Sequence, residues 1–193
     1  GTTTGTHLND GGAQLVQQTG KSTGAIINNR GTQTVDGLAV SAVVNDGGTQ
    51  LVHSGGLAAN TTVNNGGLQH IDLGGASSDG RIFSGGTQVV AGTASGTSVN
   101  AGGTQQVQLG GQARDTQINS GGTQAVEGTA ISAVVKAGGT QLIQSGGLAT
   151  STQVNSGGLQ HVNEGGASAD AHLFGGTQLL AGTASNTQID AGA

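Results

Sequence analysis

Cysteine, proline, methionine, tryptophan and tyrosine are all missing from the 193 residues, and the only aromatic rings besides histidine are Phe83 and Phe174. Without cysteine there are no disulfide staples and no thiolate metal sites. Without proline, no residue breaks a backbone ladder for want of an N–H. Charge is thin as well: five Lys or Arg against ten Asp or Glu, spread singly, for a net charge of −5. There is no basic stripe to follow a phosphate backbone and no set of rings to stack on bases, which argues against nucleic-acid binding. No apolar run approaches the ~18 residues of a membrane-spanning helix. No leader precedes Gly1 and the chain stops in mid-pattern at Ala193, so the sequence reads as an excised piece of a longer protein.

What is abundant is glycine, 40 residues of it, and its placing is regular. The pairs rule out the every-third-residue spacing of collagen, and the regular Val, Ile and Leu rule out a disordered linker. The motif (Gly)-Gly-x-Gln-x-apolar recurs ten times, with its glutamine at Gln14, Gln33, Gln50, Gln69, Gln88, Gln105, Gln124, Gln141, Gln160 and Gln178. In one unit Arg30 takes the place of the first glycine. A fixed period of about 16–20 residues marks a solenoid, each repeat being one coil stacked on the next.

The unit Gly47–Asn65 shows the local logic. Two extended segments, Thr49–His53 and Ala58–Asn64, each follow a Gly-Gly turn. Alternating Thr, Val and Ile favour strand, and no period near 3.6 supports helix. Two residues after each glutamine stands an aliphatic (Val16, Val35, Val52, Ile71 and onward to Leu180), whereas the residue between them varies freely. With a side-chain period of two, the regular position faces inward and the variable one outward. The second segment supplies a matching row, from Ile27, Val44 and Val63 to Ile189, with small alanines such as Ala58, Ala94 and Ala113 fitting a narrow interior. By the same parity the glutamine points inward, where each amide can bond to its copy one rung above and below. Asparagines form a second row: Asn45, Asn64, Asn100, Asn119 and Asn155. The expected fold is an all-β, right-handed parallel β-helix of about ten rungs.

A longer repeat overlies the first. Residues 31–84 and 122–174 match almost rung for rung at an offset of 91, which divides the chain into five-rung blocks at 11–101 and 102–191. His70 and His161 hold equivalent places, five rungs or ~24 Å apart, too far to share a metal. His53 and Asp72 fall on neighbouring rungs at one position of the unit and are expected to stack as an exposed pair. The carboxylates Asp36, Asp72, Asp79, Asp115, Glu127, Glu164 and Asp170 are scattered, without the paired placing that glycoside hydrolysis requires. Asp79 and Asp170 match each other across the blocks and read as turn residues. No Gly-Lys-Ser/Thr phosphate loop and no calcium nonapeptide occurs. No catalytic, metal-binding or cofactor-binding residue is therefore nominated, and no cofactor is expected. Phe83 and Phe174 interrupt the asparagine row, with Arg81 and His172 two residues before them; local packing is favoured for both over a partner contact.

The unit GG-x-Q-x-V-x-x-GG-x-A-x-x-T-x-V-N is nearly complete at Gly47–Asn64, Gly102–Asn119 and Gly138–Asn155. It resembles the passenger repeat of AIDA-type autotransporters, over roughly residues 11–191; the shorter units, such as Gly31–Asp46 and Gly85–Ala101, depart from it locally. The resemblance implies a β-helical passenger exported to the surface of a Gram-negative bacterium, mediating adhesion, aggregation and biofilm formation. Some members carry heptose on Ser and Thr, and the matching positions here are Thr61, Thr62, Thr116 and Thr152.

The leading reading is a non-enzymatic surface adhesin whose partner is a copy of itself on another cell, with host or surface glycans and proteins as further partners. Its candidate self-association ladder is Asn64, Asn100, Asn119 and Asn155. The alternatives are a carbohydrate-binding or polysaccharide-cleaving β-helix module, or a passive spacer stalk. The threonine row (Thr87, Thr104, Thr123, Thr140) suits an ice-binding ladder, but Leu68 and Leu159 interrupt it.

Overall fold

The computed structural model describes residues 1–190. The chain coils as a parallel β-helix whose three sheets run the length of a rod, with 11, 11 and 10 strands stacked in strict rung order. Every strand pairs in parallel with the equivalent strand of the next coil, and the crossovers are right-handed, as parallel connections are.

Each rung holds three short strands. The glutamine strand comes first, for example Thr49–Val52, then an alanine strand, Leu57–Ala59, then a valine strand, Thr62–Val63. The second extended segment expected from the sequence, Ala58–Asn64, is thus two strands. Asn60 breaks it with a left-handed φ of 56°, and Asp79, Gly96, Asp115 and Asp170 turn the same corner on other rungs. These residue types either lack a Cβ or tolerate the left-handed region through local side-chain hydrogen bonds. The turn role expected for Asp79 and Asp170 follows directly.

The glycine pairs have two separate causes. Gly55 has φ 84° with open space about it, whereas a Cβ on Gly56 would lie 2.0 Å from the Val35 carbonyl oxygen one rung below. The first glycine is needed for its backbone conformation and the second for its lack of a side chain.

Rungs come in two main lengths. Successive ladder glutamines are 19 residues apart at Gln50–Gln69 and Gln69–Gln88, but 17 apart at Gln33–Gln50, Gln88–Gln105 and Gln124–Gln141. The shortening falls at the corner between glutamine and alanine strands, where one glycine (Gly37, Gly92 or Gly128) replaces the longer turn. The step from Gln160 to Gln178 is 18 residues, so the second block departs there from the first.

Inside, register is uniform. Gln69 lies between Gln50 and Gln88, and Ile71 between Val52 and Val90. The aliphatics of glutamine strands pack with the alanines (Val52, Ala58, Ile71, Val90, Ala94), and the valine strands build a separate column (Ile27, Val44, Val63, Ile82, Val99). Leu180 and Ile189, the last of their rows, are exposed. Burial per rung is small, so stability comes from the sum of nearest-neighbour interfaces.

Candidate functional site

The glutamines form the internal ladder that parity predicts. From Gln33 to Gln178 each Nε2 donates to the glutamine Oε1 of the preceding rung at 2.6–2.8 Å, and Gln14 accepts at the start of the row. Gln33 through Gln160 are buried. An amide carries two N–H groups and two lone pairs, so a simple ladder leaves half of them unused. Hydroxyls take up part of the remainder. Thr61, Thr97, Thr116 and Thr152 donate to Gln50, Gln88, Gln105 and Gln141, and Ser22, Ser77 and Ser168 play the same part on other rungs.

Sequence reasoning missed this second row, and the signal was present. Where the alanine-strand centre is Ser22, Ser77 or Ser168, the corner residue is Ala25, Gly80 or Ala171; where the centre is Ala58, Ala94, Ala113 or Ala149, the corner is Thr61, Thr97, Thr116 or Thr152. Each such rung supplies one hydroxyl from one of two places. This overturns three of the four sugar-bearing positions suggested by family resemblance. Thr61, Thr116 and Thr152 are buried at 0–1% exposure with their hydroxyls on the glutamine ladder, leaving no room for a sugar in the folded rod. Thr62 alone among the four points outward and is half-buried.

The asparagine row lies at the opposite end of the valine strand and is half-buried. Asn28 donates to Asn9, Asn45 to Asn28 and Asn64 to Asn45 at 2.7–2.8 Å. Phe83 then interrupts the row. It resumes with Asn119 donating to Asn100 at 3.0 Å and Lys136 Nζ donating to Asn119 at 2.9 Å. Asn100 itself donates to the Ile82 carbonyl at 3.2 Å. Asn155 lies beside Phe174 in the sheet register. The structure therefore brings Asn100 and Asn119 together directly, and sets Asn64 and Asn155 in the same row at equivalent places of the two blocks.

Phe83 and Phe174 are each 40% exposed, which corrects the expectation of packing. Phe174 stacks on His172, ring centroids 3.7 Å apart. His53 and Asp72 do approach across rungs, at 3.7 Å, and Asp36 sits nearer, 3.0 Å from His53 Nδ1. His70 stands 3.8 Å from Asp72. These four side chains are 32–44% exposed. Among the described residues no group of three His, Cys, Asp or Glu side chains could hold a metal ion, and no helix is long and apolar enough to cross a membrane.

Comparison with known proteins agrees with this geometry. No family profile matches the chain, and no curated protein matches it. Among solved structures, the chain is similar to the crystal structure of a TibC-catalysed, hyper-glycosylated fragment of TibA, at 37% identity. The alignment covers 100% of this chain and 87% of that one, with a TM-score of 0.65.

Proposed function

The chain belongs to the AIDA-type self-associating autotransporter passengers, and from that premise we propose that its rod is a non-catalytic surface adhesin that joins cells by pairing with itself along the asparagine ladder. The observation that carries this is the half-exposed amide row. Asn119 donates one N–H to Asn100 and accepts from Lys136, which leaves further donor and acceptor capacity directed outward. Repeated at the ~4.8 Å rung spacing, such groups form a fixed array that a second copy can match. Fixing them in advance removes much of the ordering cost of association. Each contact contributes about 0.5–1.5 kcal/mol, and strength comes from the number engaged together.

The two blocks, 11–101 and 102–191, share part of this row, with Lys136 in the second at the place of Asn45 in the first; Ala191, at the end of the second, lies outside the described residues. Asn28 and Asn119, and Asn64 and Asn155, are equivalent between the blocks across the 91-residue offset, and Asn100 closes the first block. Display on the bacterial surface fits a polar rod whose long axis offers many weak contacts. Thr62, with its outward hydroxyl, is the position among the four candidates that we propose for sugar attachment, by analogy with the hyper-glycosylated TibA fragment.

The test is settling of cells that display the chain with Asn64, Asn100, Asn119 and Asn155 all changed to alanine. Settling slows strongly on this reading while the fold is retained by circular dichroism. Unchanged settling by a folded variant would remove the ladder from the mechanism.

A further inference from the structure

Both phenylalanines stand on the outer face of the valine sheet, and the amide ladder uses neither. Phe83 is 40% exposed and occupies the asparagine row, with Asn64 on the rung below and Asn100 on the rung above. Its ring changes the amides on both sides. Asn64 Nδ2 donates to Asn45 at 2.8 Å, but its Oδ1 receives no hydrogen bond, because a phenyl ring has none to give. Asn100 finds no acceptor below and donates instead to the Ile82 carbonyl at 3.2 Å. Two residues before Phe83, on the same outer face, stands Arg81, which is exposed and pairs in register with Thr62 and Ser98. Every ion pair among the described residues is made by a histidine, so Arg81 has no carboxylate partner. Asp79, the carboxylate nearest to it in sequence, leans instead toward Gly96 at the corner of the next rung, where an added Cβ would meet its Oδ1 at 2.7 Å.

We propose that Arg81, Phe83 and the polar groups around them bind a sugar bearing one carboxylate, such as a terminal uronic or sialic acid. This goes beyond pairing of the rod with itself and gives it a second class of partner. The electron-rich face of a phenyl ring takes the C–H face of a sugar, whose hydrogens are slightly positive. Around Phe83 stand hydroxyls and amides, which suit a ligand rimmed with hydroxyls; an apolar peptide needs more apolar neighbours than one ring. Asn64 Oδ1 is placed to accept from a sugar hydroxyl. Arg81 lies ~6.6 Å along the strand from Phe83 and offers paired N–H donors to a carboxylate. One isolated cation on a chain of net charge −5 suits a single negative charge and not a polyanion.

The second block supplies an internal control. Phe174 is also 40% exposed, but His172 replaces Arg81 and its ring lies against Phe174, centroids 3.7 Å apart. Asp190 takes the place of Asn100, and its Oδ2 is 3.0 Å from His172 Nε2. A carboxylate of the chain therefore stands beside the group that would receive the ligand's own. Equal exposure of the two rings thus goes with unlike surroundings, and only Phe83 has the site.

The composition makes the test direct. With no tyrosine or tryptophan and only two phenylalanines, fluorophenylalanine labels these two rings alone. Fluorine NMR reads both in one sample, and Phe174→Leu assigns the signals. Unglycosylated protein is used, since a sugar on Thr62 would crowd Arg81 on the next rung. Methyl glucuronide is expected to shift the Phe83 signal saturably and to leave the Phe174 signal in place. Methyl glucoside, which lacks the carboxylate, is expected to bind on the order of tenfold more weakly, for want of the charge-assisted pair. Arg81→Gln, with the fold checked by circular dichroism, removes that difference between the two sugars. The inference is overturned by the absence of a saturable Phe83 shift, by equal shifts at both rings, or by an undiminished preference for glucuronide in Arg81→Gln. Tighter binding of thymidine monophosphate than of methyl glucuronide also overturns it, in favour of a nucleotide. None of these measurements depends on cell settling, so the ladder contact stands or falls separately.

Discussion

Replacing Gln105 by leucine tests whether the glutamine ladder is a satisfied polar network or merely a row of side chains of suitable volume. Gln105 is 0% exposed; its Nε2 donates to Gln88 at 2.7 Å, and its Oε1 accepts from Gln124 at 2.7 Å and from Thr116 at 3.2 Å. Leucine removes all three bonds. The Gln88 carbonyl keeps the Thr97 hydroxyl at 3.3 Å, but the Gln124 amide and the Thr116 hydroxyl lose their acceptor. Two orphaned donors cost about 1–3 kcal/mol each, so about 2–6 kcal/mol in all. Burial of the leucine returns about 1.5–3 kcal/mol. The net loss is thus about 2 kcal/mol at the middle of these ranges, read from urea unfolding followed by far-ultraviolet circular dichroism.

The sharper test is a change of sign. Thr116→Ala alone costs about 0.5–1.5 kcal/mol, because it removes one good hydrogen bond. In the Gln105→Leu background the same change removes an orphan and recovers about 1–3 kcal/mol. The double variant is then more stable than the single one. Further destabilisation by Thr116→Ala in that background refutes the network account.

Two glycines at the same corner separate backbone conformation from close contact. On Gly92 a Cβ would lie 2.3 Å from the Asp72 carbonyl oxygen and 2.4 Å from that of Gly75, so Gly92→Ala costs about 3 kcal/mol or more by thermal unfolding. Gly55 has open space around it but φ 84°, so Gly55→Ala costs only about 1–2 kcal/mol; equal losses would show that the short corner is not tightly packed. On the ladder face, Asn119→Ala alone slows cell settling only partly, since one rung of many is removed; complete loss from that one change would mean a point contact and not an additive array.

The sequence made the interior legible because the interior is where rungs must agree. Gln69, with Gln50 below and Gln88 above, can satisfy its amide only if they too are amides, so identity at that position is itself evidence of burial. The break at Asn60 was harder to see, since that corner takes Asn, Asp, Ser or Gly in turn and shows no single repeated letter. The shared property is tolerance of a left-handed φ, legible only when the column is read by conformation. Thr61 and its equivalents were misjudged for a related reason. That corner resets the alternation of inside and outside, turning Thr61 inward beside Val63 when strict counting from Ala58 points it outward. Edge relief was not legible at all. The exposure of Leu73 and Leu109 depends on which neighbouring rungs are long, a property of the stack and not of either unit.

Because the interior links each rung only to its two neighbours, it cannot tell one rung from another, whereas the surface can. Deleting residues 31–121 makes this measurable. The cut removes 91 residues and joins Arg30 to Gly122, which sets Gln124 one 19-residue rung after Gln14, the spacing that Gln33 had. The amide ladder, the aliphatic columns and the corner glycines all meet in register. The shortened chain is therefore expected to fold, with a urea dependence of unfolding reduced to about half, in proportion to the surface it buries. Its surface is no longer the same, however. Of the four candidate ladder residues Asn64, Asn100 and Asn119 are gone and Asn155 remains, so cells that display the shortened rod are expected to settle more slowly. A folded product whose cells settle slowly locates stability in the repeat and recognition in the outward residues that the cut removes. An unfolded product would show instead that rungs which match in register are not interchangeable.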